Sequence, residues 1–428
     1  MKTICYKIFL FALFPILALL CSCKEKNSGE KSTNATISYF AVKHTRLPID
    51  SSTVFTIDAN SGLIYNYDSL PYQSPKDSFV PTIFGRLLSK VLINDSIEYS
   101  GKDTIDFSNL VKLQSWAEDK KTTKNYVVEL RIHTVDPDLY IWKQIKNNIY
   151  TETPVEEKAF YHNGQLCLFV KTASDITLYS STDGKTWLPA AVTGLPTTAS
   201  LQKTIKTTDG FCVADNGLLH QSTNGQQWTN TAINAPVSYL LFEMNKKIFA
   251  LGTDNAIYTT ADKTQWTNIG NAPTNFPENG AAISVDYSPN GKARAYVAGG
   301  ETAGGDYLNS VWSTENGSHW VNLTDSTNYF SARTGASIIQ YDGMLMLFGG
   351  KDKDGLVKDP HWISSNYGMI WTLPTEKIIL PESFQRRCGQ SVVVDDTSRI
   401  YIIGGYTFGG FLKDVWTGKK NSFSFLIR

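Results

Sequence analysis

Histidine, methionine and cysteine are scarce in this 428-residue chain, at six, five and six copies. His44, His133, His162, His220, His319 and His361 never stand at HxH or HExxH spacing, and no CxxC pair occurs, so no metal site is expected. No GxSxG elbow is present, and Gly184-Lys185-Thr186 has Tyr179 where a phosphate loop needs its first glycine. Neither a catalytic residue nor a cofactor is therefore expected. Charge of one sign is also lacking. Forty basic and 40 acidic residues leave no surplus for a nucleic-acid face. The apolar run Ile8–Leu20, 13 residues long, is too short to span a bilayer as a helix.

That run fits a signal-peptide core behind Lys2 and Lys7. It ends in Leu20-Cys21-Ser22-Cys23, which resembles a bacterial lipobox. The resemblance implies cleavage after Ser22, a diacylglycerol on Cys23, and anchorage of an outer-membrane lipoprotein on its periplasmic or cell-surface face. The processed chain would carry 38 basic and 40 acidic residues, a net charge of −2. Residues 23–36 read as a polar tether. Beyond it only Cys167, Cys212 and Cys388 remain, in apolar surroundings or at uneven spacing, and buried free thiols are expected.

Gly (31) and Tyr plus Phe (42) are plentiful, which favours β-structure. One phrase recurs: Ser181-Thr-Asp183-Gly184-Lys-Thr-Trp187, Ser222-Thr-Asn224-Gly225-Gln-Gln-Trp228 and Thr260-Ala-Asp262-Lys263-Thr-Gln-Trp266. Thr314-Glu-Asn316-Gly317-Ser-His-Trp320 and Ser364-Ser-Asn366-Tyr-Gly368-Met-Ile-Trp371 continue it, and a worn sixth copy follows Trp416, with Phe423 or Phe425 in the aromatic place. Asp or Asn turns the chain, Gly supplies a positive φ, and Trp opens the returning strand. The Trp spacings of 41, 38, 54 and 51 residues match four-stranded propeller blades. The phrase resembles the Asp box of sialidase-like propellers. The three convergent arginines and the Tyr–Glu pair of a sialidase are not discernible.

Ala295-Tyr-Val-Ala-Gly299-Gly300, Met344-Leu-Met-Leu-Phe-Gly349-Gly350 and Ile400-Tyr-Ile-Ile-Gly404-Gly405 end apolar strands in glycine pairs. Arg333-Thr-Gly335-Ala-Ser337 and Arg387-Cys-Gly389-Gln-Ser391 lie upstream of the last two, and Glu278-Asn-Gly280 takes the equivalent place before the first. This pattern resembles kelch. Residues 147–428 are accordingly expected to form a six-bladed β-propeller of kelch and Asp-box type. The segment Tyr140–Ile145 is read as the end of the preceding domain rather than as a closing strand.

Residues 37–146 carry short strand-like runs such as Val54–Asp58, Lys90–Ile93, Asp103–Phe107 and Tyr126–His133, separated by turn residues. The expectation is an Ig-like β-sandwich, and hence an all-β chain. With the Ile64–Pro71, Asp106–Ser108 and Trp116–Leu130 segments, the whole chain resembles an uncharacterised family of Bacteroidota lipoproteins, which implies an address and an architecture but no reaction. The candidate ligand residues are Arg333 and Arg387 at the channel mouth, Glu278 beside them, and Tyr406 and Phe408 in a glycine-rich loop. The expected function is binding or scaffolding at the cell envelope, with a membrane contact through lipid and a glycan or protein ligand on the propeller. The alternative is a polysaccharide hydrolase or lyase working in the pore.

Cys23→Ala is expected to abolish palmitate incorporation in labelled cells. Undiminished label in the variant would refute lipidation at this cysteine.

Overall fold

The computed structural model describes residues 30–45, 53–324, 330–357, 359 and 361–421. The lipobox with Cys23 and the sixth-repeat aromatics Phe423 and Phe425 lie outside the described residues. Two compact units are present, residues 1–134 and 135–428, and all regular structure described is β apart from one short 3₁₀ turn, Leu201–Lys203.

The first unit contains eight strands: β1 (Tyr39–His44), β2 (Thr53–Asp58), β3 (Leu63–Asn66), β4 (Phe79–Phe84), β5 (Leu88–Ile93), β6 (Ile97–Glu98), β7 (Val111–Ala117) and β8 (Thr123–Glu129). They form a single sheet in the order β4-β1-β2-β3-β8-β7-β5-β6, with only β3 and β8 parallel. Phe40 and Phe79 at one end of that order share a core with Val91, Val111 and Tyr126 at the other. A continuous sheet whose two ends meet in one core must curl. The two separate sheets of the expected Ig-like sandwich are replaced by this curled sheet. Asp103–Phe107 contributes only an isolated bridge, Ile105 to Phe79.

The second unit is a six-bladed β-propeller. Blades one to four are four-stranded antiparallel meanders that begin at Glu156, Ile205, Val237 and Ala282. Blade five has three strands, Ser337–Tyr341, Met344–Phe348 and His361–Ser364. The second strand of a blade is covered by neighbouring blades on both faces, so it reads as a continuous apolar run. Gln165–Lys171 (QLCLFVK) is buried from Leu166 to Val170. Cys167 and Cys212 sit in such strands, and both are free and buried, as is Cys388.

The recurrent phrase is a side-chain-capped turn. In the first copy Asp183 accepts the Lys185 and Thr186 backbone N–H groups at 2.8 Å each, Ser181 Oγ accepts the Gly184 N–H, and Trp187 Nε1 donates to Gly184 O at 3.0 Å. Trp228, Trp320 and Trp371 repeat the last bond to Gly225, Gly317 and Gly368. The third copy has Lys263 at φ 64° in place of glycine, and its buried Trp266 Nε1 has no hydrogen-bond partner. The glycine is also required by space. A Cβ on Gly317 would meet the Phe249 ring of the preceding blade at 2.0 Å.

Blade six consists of Ser391–Val394, Ile400–Ile403, Val415–Lys420 and, as its outer strand, β9 (Tyr140–Lys146). The expected assignment of β9 to the N-terminal domain is therefore corrected: it pairs antiparallel with Val415–Lys420 and closes the ring. Tyr140 packs with Tyr341, Ile400 and Trp416, while Trp142 Nε1 donates to Ile378 O at 2.8 Å. Its apolar residues are thus satisfied by the far end of the chain, which local pattern cannot reveal.

A fragment starting at residue 147 leaves the Val415–Lys420 edge unpaired. It is expected to melt roughly 10 °C below a fragment starting at residue 135, or to aggregate. Equal melting curves by circular dichroism would show that β9 is dispensable.

Candidate functional site

The chain order places the segments before each innermost strand and the loops after each second strand at the same end of the propeller. There the glycine pairs join neighbouring blades. Gly300 N–H donates to Arg333 O at 2.8 Å, and Gly350 N–H to Arg387 O at 3.0 Å. The first glycine of each pair has φ near 61° and the second between 92° and 100°, a path that strongly favours glycine. At the closure between blades six and one, Gly405 N–H instead meets the Glu157 carboxyl at 2.5 Å.

Arg333 and Arg387 do stand at equivalent places in adjacent blades, but both are buried, at 0% and 1% exposure. Arg387 makes a two-pronged pair with Asp414, at 2.6 and 3.0 Å, and donates to Gly404 O and Gln385 O. Arg333 pairs with Asp359 at 2.6 Å and donates to Ser331 and Gly349. Each aspartate also accepts a tryptophan: Trp416 on Asp414, Trp362 on Asp359. The expectation that these guanidiniums grip an external anion is corrected, since their donors are spent on the fold. Glu278 does not join them. It is exposed, and its backbone N–H binds Glu301 O. Blade four has Ser310 where blade six has Asp414, and both Ser310 Oγ and Trp312 Nε1 lack partners. The Arg–Asp–Trp triad thus belongs to blades five and six.

The other two candidates lie on a hairpin, Tyr406–Thr407 with Gly410–Phe411, that follows the second strand of blade six. A matching hairpin, Lys351–Asp352 with Gly355–Leu356, rises from blade five. Phe408 is 86% exposed at its tip. Tyr406 is half-buried and bonded through its backbone to Cys388.

Inside the ring runs a channel of about 440 Å³ lined by the innermost strands of all six blades. Its mouth is held by a backbone chain: Gly335 N–H to Gly280 O at 2.9 Å and Gly389 N–H to Gly335 O at 2.7 Å. Gln202 continues it, its amide donating to Glu157 O at 2.6 Å. Just below, the half-buried Lys158 faces the channel. Burial pushes its amine down to about 8, against a partial pull upward from Glu156. Sequence reasoning missed Lys158, Glu157, Asp359 and Asp414. The aspartates were signalled only by their place shortly before a strand tryptophan, and the other two by nothing local.

Among the described residues no three His, Cys, Asp or Glu side chains gather in a metal-holding group. His361 is fully buried between Phe348 and Trp142, and burial pushes it down to about 3.

Residues 136–428 match the β-propeller domain of DUF6242, and residues 27–130 match that family's N-terminal domain, a domain of unknown function. The chain belongs to the DUF6242 family. No curated protein matches it. Among similar solved structures is one titled "Structure of YjhT", 17% identical, with a TM-score of 0.48 over 62% of this chain and 96% of that one. A likeness of that degree carries no argument about what the DUF6242 chain does.

Glu157 offers a pH test of the closure. Burial lifts its carboxyl to about 7 against the lowering pull of Tyr150, Gly405 and Arg387. Its two oxygens accept the Gly405 N–H at 2.5 Å and the Tyr150 hydroxyl at 2.6 Å. The unfolded carboxyl loses its proton near 4.5, so between pH 4.5 and 7 the folded state binds more protons. Stability is full below that window and falls as pH rises through it, by on the order of 3 kcal/mol. Glu157→Gln, isosteric with the protonated acid, is expected to flatten the profile between pH 5 and 8. A variant that keeps the wild-type slope in denaturant melts would assign the dependence elsewhere.

Proposed function

We propose that the chain is a lipid-anchored envelope protein of Bacteroidota type, whose kelch- and Asp-box-like propeller binds a glycan or protein ligand at the mouth end of its channel. The observation that carries this reading is the mouth itself: an accessible hollow beside two raised hairpins, with Phe408 bare at a tip. A large aromatic left in water costs apolar burial and is retained where a partner covers it. Blade four raises a shorter hairpin closed by a Glu301–Tyr307 bridge, and among the described residues blades one to three raise none, so the ring is asymmetric at this end. Anchorage is supported by Leu20-Cys21-Ser22-Cys23 behind a 13-residue apolar run. The N-terminal module and its tether would then separate the propeller from the lipid along the chain.

Phe408→Ser is expected to weaken capture of the ligand at least tenfold without changing the melting curve. The measurement is a glycan array together with proximity labelling on intact cells. Identical profiles for variant and wild type would remove the hairpin tip from the binding surface.

A further inference from the structure

The charge inside the channel is unevenly placed. Lys158 comes from the innermost strand of blade one, Lys206 from that of blade two, and Lys203 from the turn Leu201–Lys203 between them. Among the described residues none of these three amines has a carboxylate within 4 Å. The carboxylates nearest in the chain are engaged elsewhere. Glu156 is paired with Lys171 and accepts Ser200 Oγ and the Leu201 N–H. Glu157 turns to Gly405 and Tyr150. Glu243, the one acid in the channel wall, accepts the Thr208 N–H and hydroxyl at 2.5 and 2.7 Å. Lys203 rests over the Tyr239 ring at 5.4 Å.

The walls of blades four, five and six carry no charge along their channel-lining residues; Ser284 and Ser337 supply hydroxyls, that of Ser337 donating to Gln390 O and keeping its acceptor side, while Gln390 is buried with its amide on Phe348 O. Three cations against one acid in a hollow walled by low-dielectric protein repel each other and focus a positive potential inward. The burial that lowers the Lys158 amine reports the same unpaired state. An anion entering the channel would relieve it. A volume of about 440 Å³ lies in the small-molecule range of roughly 300–1,000 Å³. That accommodates one or two sugar rings, not a threaded polymer.

Resting on the binding function proposed above, we infer that the channel is a site for a small sugar acid. Its carboxylate sits between Lys158 and Lys206, and its hydroxyls meet Gln202 at the mouth and the serine-bearing wall opposite. Lysine serves as a point charge here, so the ammonium groups select for charge and the polar wall for the hydroxylic body.

The test is calorimetric titration of the full chain with glucuronate, galacturonate, glucose and sodium sulfate at low ionic strength. Uronate binding is expected, at least tenfold weaker in Lys158→Met and in Lys206→Met, and largely retained in Lys158→Arg. Bound uronate should also protect wild-type Lys158 from acetic anhydride at pH 8, read by mass spectrometry, which needs no variant to fold. Glucose as tight as uronate, or uronate binding indifferent to both Met variants, would overturn the inference while leaving a binding propeller in place. Sulfate as tight as uronate would reduce the site to a general anion hollow and overturn the sugar-acid assignment. No uronate binding and no protection would overturn it outright.

Discussion

The antiparallel pairing of Tyr140–Lys146 with Val415–Lys420 is the constraint on which the propeller depends. Here the last blade takes its outer strand from before the first blade, which ties the two ends of the ring together. Without that strand Val415–Lys420 would be a bare edge, and Tyr140 and Trp142 would lose their apolar partners. The Glu157 carboxyl on Gly405 N–H, and the Ala159 N–H on Ser391 Oγ at 2.7 Å, fasten the inner strands across the same junction. Outer and inner strands are thus tied at one seam, by contacts more than 200 residues apart in sequence.

Once the ring is closed, the remaining inter-blade contacts become cooperative. Glycines of the repeated turn admit rings of the preceding blade, as Gly225 admits Phe169 and Gly317 admits Phe249. Glycine pairs reach forward to the arginine segment of the next blade. The Arg–Asp–Trp triads of blades five and six stiffen the loops from which the two hairpins rise. Buried ion pairs of this kind offset a large desolvation cost only with excellent geometry, and the two-pronged Arg387–Asp414 contact supplies it. What stays unsatisfied inside the channel is the set of lysines of blades one and two.

Blade number, the repeated turns and buried thiols were legible because each follows from a local rule. A Ser/Thr–Asp/Asn–Gly–Trp turn folds the same way wherever it occurs, and an apolar second strand declares burial on both faces. The arginines were misread because their position in the repeat is local but their partners are not. Asp414 lies 27 residues from Arg387, and Asp359 26 residues from Arg333. Strand content of the N-terminal module was likewise visible, yet strand order was not, since a curled sheet and a sandwich draw on the same alternating runs.

By itself, then, the sequence determined the all-β class, the repeat and the turn chemistry, because these depend on neighbours within about ten residues. Only the tertiary structure decided where the ring closes, that the arginines serve the fold, and that Lys158, Lys203 and Lys206 share one hollow. Those outcomes rest on which charges find partners across blades. Partnering is a property of the assembled ring and not of any segment within it.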